Sequence, residues 1–117
     1  MKYLSIAIAC LFGTFSCAKN NEAEGILSED TMVNILVDIH LTEGFVQSLS
    51  IPYDSTKVLY PILEKRIFEK HGVPDSVYIK SLEFYLRDAA KMEYLYERTI
   101  DSLSVKEKEA QQNNSHK

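Results

Sequence analysis

Three polar side chains, His40, Glu43 and Gln47, follow Leu36 at steps of four, three and four along an otherwise apolar stretch. In a helix of 3.6 residues per turn they share one stripe. An imidazole one turn from a carboxylate has the chemistry to bind a ligand or a metal. Two such ligands are too few for a closed tetrahedral zinc site, so no metal is expected here. No Ser/His/Asp set, phosphate-cradling glycine loop or nucleophilic cysteine context accompanies them. The chain is therefore read as a non-enzyme without a cofactor or catalytic residue. The stripe is its best candidate surface for a protein partner, set against a plain polar seam satisfied by water or a second helix. Gly44 lies beside it, where a second backbone could approach closely.

Other residues with chemical potential have simpler readings. His71, just before Gly72, suits the negative end of a helix and is not assigned as a ligand or acid–base group. Six of the seven tyrosines follow the N-terminal apolar run, four of them between Tyr78 and Tyr96. They are read as rings buried with their hydroxyls in water. A tyrosine-lined groove for a small molecule or lipid is the alternative function.

The elements that must position these residues are helices. Ser28 is a good N-cap, followed by Glu29 and Asp30 at the positive end of the dipole. Met32, Ile35, Ile39, Val46 and Leu49 then share one face, and Val33, Val37, Leu41 and Phe45 form a second apolar row. A helix apolar over so much of its circumference is expected to pack against more than one neighbour. Pro52 ends it. The second helix, capped by Asp54 or Ser55, carries Val58, Leu59, Ile62, Leu63, Ile67 and Phe68, with a kink or late start expected at Pro61. Gly72 closes it. A third helix starts near Pro74, with Asp75 as cap, and presents Val77, Tyr78, Ser81, Leu82 and Tyr85. A break at Asp88-Ala89-Ala90 precedes a fourth, carrying Met92, Leu95, Tyr96, Thr99 and Leu103. The expected architecture is an all-α, three- to four-helix antiparallel bundle over residues 28–104, with a frayed or disordered tail at 105–117.

Length and charge bound the rest. The 117 residues make one domain, and 13 basic against 17 acidic side chains, interspersed, leave a formal net charge of −4. That excludes a general nucleic-acid surface. Phe68-Glu69-Lys70-His71-Gly72-Val73 has the outline of a helix-turn-helix turn, but bulky Phe68 stands where that motif needs a small residue.

Leu4 to Phe15 is apolar, too short to span a bilayer and of the size of a signal-peptide core. Thr14-Phe15-Ser16-Cys17 at its end resembles a relaxed bacterial lipobox, with Thr14 in place of the usual aliphatic residue. The resemblance implies a signal peptide at 1–16, lipidation of Cys17 and a tether at 17–27. Membrane attachment would then run through Cys17, since multiple acyl chains anchor firmly where one is marginal. Both cysteines, Cys10 and Cys17, lie in or at the end of the signal, so no internal disulfide is expected.

Several segments together resemble a family of small Bacteroidota lipoproteins that share a helical domain of unknown function. They are the run Met32-Val33 through Ile35-Leu36-Val37-Asp38-Ile39-His40-Leu41-Thr42-Glu43, then Phe68 to Val73, Ser81-Leu82-Glu83-Phe84-Tyr85 and Tyr96 to Leu103. The resemblance covers about residues 26–103 and implies an all-helical domain in the cell envelope, expected at the outer membrane. It implies no activity. Together these readings describe a lipid-anchored envelope protein acting as a non-catalytic interaction or adaptor subunit.

Overall fold

A computed structural model describes residues 24–115. The expected signal peptide and Cys17 lie outside the described residues. Four helices follow in order: α1 (Glu29–Ser48), α2 (Tyr53–His71), α3 (Asp75–Leu86) and α4 (Ala89–Ser115). No strand occurs among the described residues, and the fold is an all-α bundle.

Local chemistry explains most of the boundaries. Ser28 Oγ accepts the Thr31 amide at 3.2 Å and caps α1. Gly72 adopts φ 63°, so its amide and that of Val73 return to the Glu69 and Phe68 carbonyls, closing α2. Asp88 Oδ1 accepts the Ala90 amide at 3.1 Å and the Lys91 amide at 3.3 Å. That cap starts α4 and makes the break before it real. The starts of α2 and α3 differ from expectation. Pro52 and Pro74 precede them with no side-chain cap, and Asp54 and Asp75 lie inside the first turns. Pro61 neither delays nor ends α2. It frees the Lys57 carbonyl from its helical partner, but both residues are exposed and water can serve that oxygen.

The core forms around the first half of α1. Met32, Ile35 and Leu95 have no exposed surface, and Val33, Leu36, Val37, Met92, Phe68, Tyr78 and Tyr85 are buried with them. α1 packs against both α2 and α4, and α3 packs against α4. Asp38 meets Lys70 and His71 while Glu43 meets Tyr60, so α1 and α2 run antiparallel. Arg98 of α4 forms ion pairs with Glu29 and Asp30 at the start of α1.

Three expectations change at the edges of this core. The second apolar row of α1 is buried only through Val37; Leu41 and Phe45 are 46% and 55% exposed. Val58 and Ile62 of α2 are exposed as well, because the flanking helices do not cover this end. The residues expected as a frayed tail continue α4 to Ser115, exposed throughout beyond Leu103. Strong helix formers and contacts one turn apart, such as Gln111 Nε2 to Glu107 Oε1 at 3.3 Å, support this extension.

The folded unit also begins earlier than residue 28. Ile26 and Leu27 pack against the core, and two α3 side chains hold the Leu27 backbone. Its amide donates to Ser81 Oγ at 2.8 Å, and the Tyr85 hydroxyl donates to its carbonyl at 2.8 Å. Ser81 Oγ in turn donates to the Val77 carbonyl at 2.7 Å, so the fully buried hydroxyl is satisfied on both sides. Ser81→Ala is expected to destabilise the domain by about 1–2 kcal/mol, as it strands a partly buried amide, and Tyr85→Phe by about 1 kcal/mol. Chemical denaturation measures both losses. Amide hydrogen exchange separates them, since the Leu27 amide loses its acceptor only in Ser81→Ala.

Candidate functional site

His40 and Glu43 of the polar stripe lie on the side of α1 that faces its neighbours, in line with buried Leu36. His40 Nδ1 donates to Glu43 Oε2 at 3.2 Å, and the two side chains are 37% and 43% exposed. Glu43 Oε1 accepts from the Tyr60 hydroxyl of α2 at 3.4 Å. On the other side the Tyr96 ring of α4 lies 6.4 Å from the His40 ring, tilted by 51°. His40 and Glu43 therefore stand where α1, α2 and α4 meet, bridging both neighbours of α1. Gln47 lies one turn farther on, exposed, and is not joined to the pair.

Beyond this junction lie Glu64 and Tyr78. Burial pushes the Tyr60 phenol up to about 12, helped by the charges of Glu43 and Glu64 and the bond to Glu43. Burial also pushes the Tyr78 phenol up to about 12, with Glu64 the strongest of the nearby charges. Both hydroxyls thus stay protonated across the physiological range, and that of Tyr60 donates to Glu43. The assembly offers hydrogen bonds and carboxylates to a binding partner. No group of three or more metal-ligating His, Cys, Asp or Glu side chains occurs among the described residues.

A second polar cluster escaped the sequence reading. His71 Nε2 donates to Asp38 Oδ2 at 2.7 Å, and Lys70 Nζ reaches the same oxygen at 2.8 Å. Asp38 and His71 side chains are only 18% and 17% exposed, whereas Lys70 is 67% exposed. Burial pushes the Asp38 carboxyl up, but the bonds and charges of Lys70 and His71 outweigh it and leave the net direction downward. His71 thus has a structural role beyond capping α2: it clamps that end of the helix to α1. Only the complementary charges of Asp38 and the Lys70-His71 pair hinted at this, and nothing in the sequence aligned them.

A groove of about 770 Å³ lies between the second half of α2 and the start of α3. Phe68 and Tyr78 form its floor, with ring centroids 5.0 Å apart. Tyr78 and Glu64 connect it electrostatically to the His40–Glu43 junction.

Two pH effects follow. The raised phenols contribute stability that is complete below their ordinary value near 10 and lost as pH climbs toward about 12. Tyr60→Phe should flatten that alkaline loss, and ultraviolet titration of the phenols should lose a late-ionising group. Asp38 works in the opposite sense, because its folded value is depressed: its contribution is present above the ordinary carboxylate range and lost on acidification through the folded value. Asp38→Asn should cost about 1 kcal/mol at neutral pH and progressively less in acid, read from denaturation midpoints.

A family model described as a domain of unknown function, DUF4296, matches residues 24–109. No curated protein and no solved structure matches the chain. The matched stretch takes in the Leu27 strap, the whole of α1, α2 and α3, and most of α4, so the chain belongs to the DUF4296 family of helical domains.

Proposed function

We propose that this protein is a lipid-anchored component of the cell envelope, attached to the outer membrane through acylated Cys17. Its helical domain serves as a non-catalytic interaction or adaptor subunit. The observation that carries the reading is the placement of His40 and Glu43. They occupy the inward side of α1 at the junction with α2 and α4, where apolar residues would have closed the bundle. A partly exposed imidazole–carboxylate pair framed by tyrosines suits polar docking.

The anchor rests on the Thr14-Phe15-Ser16-Cys17 pattern at the end of the apolar run. Only the eight residues Ala18 to Gly25 separate Cys17 from the docked Ile26–Leu27 strap. Fully extended, they reach about 28 Å at ~3.5 Å per residue. The domain would thus work close to the membrane, within reach of partners embedded in it or lying upon it.

Crosslinked co-purification from native envelopes tests both parts. Wild-type protein should fractionate with membranes and bring down a near-stoichiometric partner. Cys17→Ser should move the protein to the soluble fraction and reduce that recovery. His40→Ala with Glu43→Ala should stay in the membrane fraction and lose the partner. Membrane retention of Cys17→Ser would overturn the anchor, and undiminished recovery with the double variant would overturn the docking surface.

A further inference from the structure

The groove between α2 and α3 has a chemistry distinct from that of the His40–Glu43 junction. Its floor is the Phe68–Tyr78 ring pair, and Val73, Pro74 and Ile79 extend the apolar lining; Ile79 is 53% exposed. The turn at Gly72 leaves its end open, since a Cβ there would meet nothing within 4 Å. The volume, about 770 Å³, lies within the range of binding pockets.

Its charges are unbalanced. Glu64, Glu69 and Asp75 line it against a single cation, Lys65. The ion pairs of the described residues engage Glu29, Asp30, Asp38 and Glu43, and none engages these three acids. Asp75 bonds only the amide of its neighbour Ser76, at 2.7 Å. Carboxylates around an apolar floor repel fatty acids, phosphate headgroups and nucleic acid, and attract ammonium or guanidinium groups. They are placed for a cation carried beside an apolar side chain, the pattern by which an amphipathic segment fills a groove.

We infer that the groove between α2 and α3 docks a basic amphipathic segment of a partner protein. An apolar side chain of that segment sits over Phe68 and Tyr78, and its Lys or Arg residues pair with Glu64, Glu69 and Asp75. The inference rests on the reading of the domain as a binding module and names the chemistry of what is bound.

The test is selection of an unbiased displayed peptide library on the purified full chain, followed by affinity measurements with the enriched peptides at low and high salt. Enriched sequences should place Lys or Arg beside an aromatic or aliphatic residue, and salt should weaken their binding. Glu64→Lys with Glu69→Lys should weaken them about tenfold or more, and Ile79→Ser several-fold, with helical circular dichroism unchanged. His40→Ala with Glu43→Ala should weaken them far less than the Glu64 and Glu69 reversals do. Three outcomes overturn the inference: no enrichment, an acidic or uncharged consensus, or binding indifferent to the Glu64 and Glu69 reversals. An acyl chain found in the groove by native mass spectrometry would overturn it as well. Peptides lost with His40 and Glu43 but not with Glu64 and Glu69 would sink this inference while leaving the binding-module reading intact.

Discussion

The burial of α1 between α2 and α4 is the constraint on which the other contacts depend. Met32 and Ile35 on this helix, and Leu95 opposite them, have no exposed surface. Each such side chain contributes about 1.5–3 kcal/mol of transfer free energy, large against the marginal stability of a domain this small. Two electrostatic clamps hold the arrangement in register. Arg98 brackets Glu29 and Asp30 at the start of α1, and Asp38 receives Lys70 and His71 from the end of α2. The Leu27 strap covers one more side, with its backbone groups satisfied by Ser81 and Tyr85. It leads the chain from the core toward Cys17.

The same packing explains where binding groups are available. Beyond Val37, the side of α1 facing its neighbours carries His40 and Glu43, and Val46 is the last buried residue of the helix. Leu41, Phe45, Val58 and Ile62 are exposed around this end. One half of the hairpin of α1 and α2 is thus a core, while the other half is a surface of mixed polarity. Fewer buried contacts make that half the part expected to open at lower free-energy cost, a common property of binding regions. A rigid half supporting an accessible half suits a module that must present a surface without losing its fold.

Charge divides the surface further. Acids on the core-supporting side are matched with Arg98, Lys70 or His71, and there they serve the fold. The acids along the groove of α2 and α3 have no such partners, and their field falls on apolar rings that water covers poorly. Glu64 and Tyr78 belong to both the groove and the His40–Glu43 surroundings, so the two regions share one electrostatic environment. A partner engaging either region would sense the charge of the other.

Much of this was legible in the sequence, and the residues involved show why. Ser28, Pro52, Gly72 and Asp88 punctuate the chain through bonds to their immediate neighbours, so they mark helix boundaries wherever the helices later pack. The period of Met32, Ile35 and Leu36, and that of Met92, Leu95 and Thr99, likewise gives the buried faces, because helix phase is a local property. The alignment of His40 with Glu43 is local too. What periodicity could not supply was the extent of cover. Leu41, Phe45, Val58 and Ile62 keep the helical phase of core residues yet lie exposed, since burial depends on how far a neighbouring helix reaches. The pairing of Asp38 with His71, the strap from Leu27 to Ser81, and the groove over Phe68 and Tyr78 joined residues that no local rule relates. The sequence by itself determined the four helices, several of their ends and the phase of their apolar faces. The tertiary structure alone decided which polar groups met and which apolar ones stayed in water, because crossing geometry is set by all the helices together.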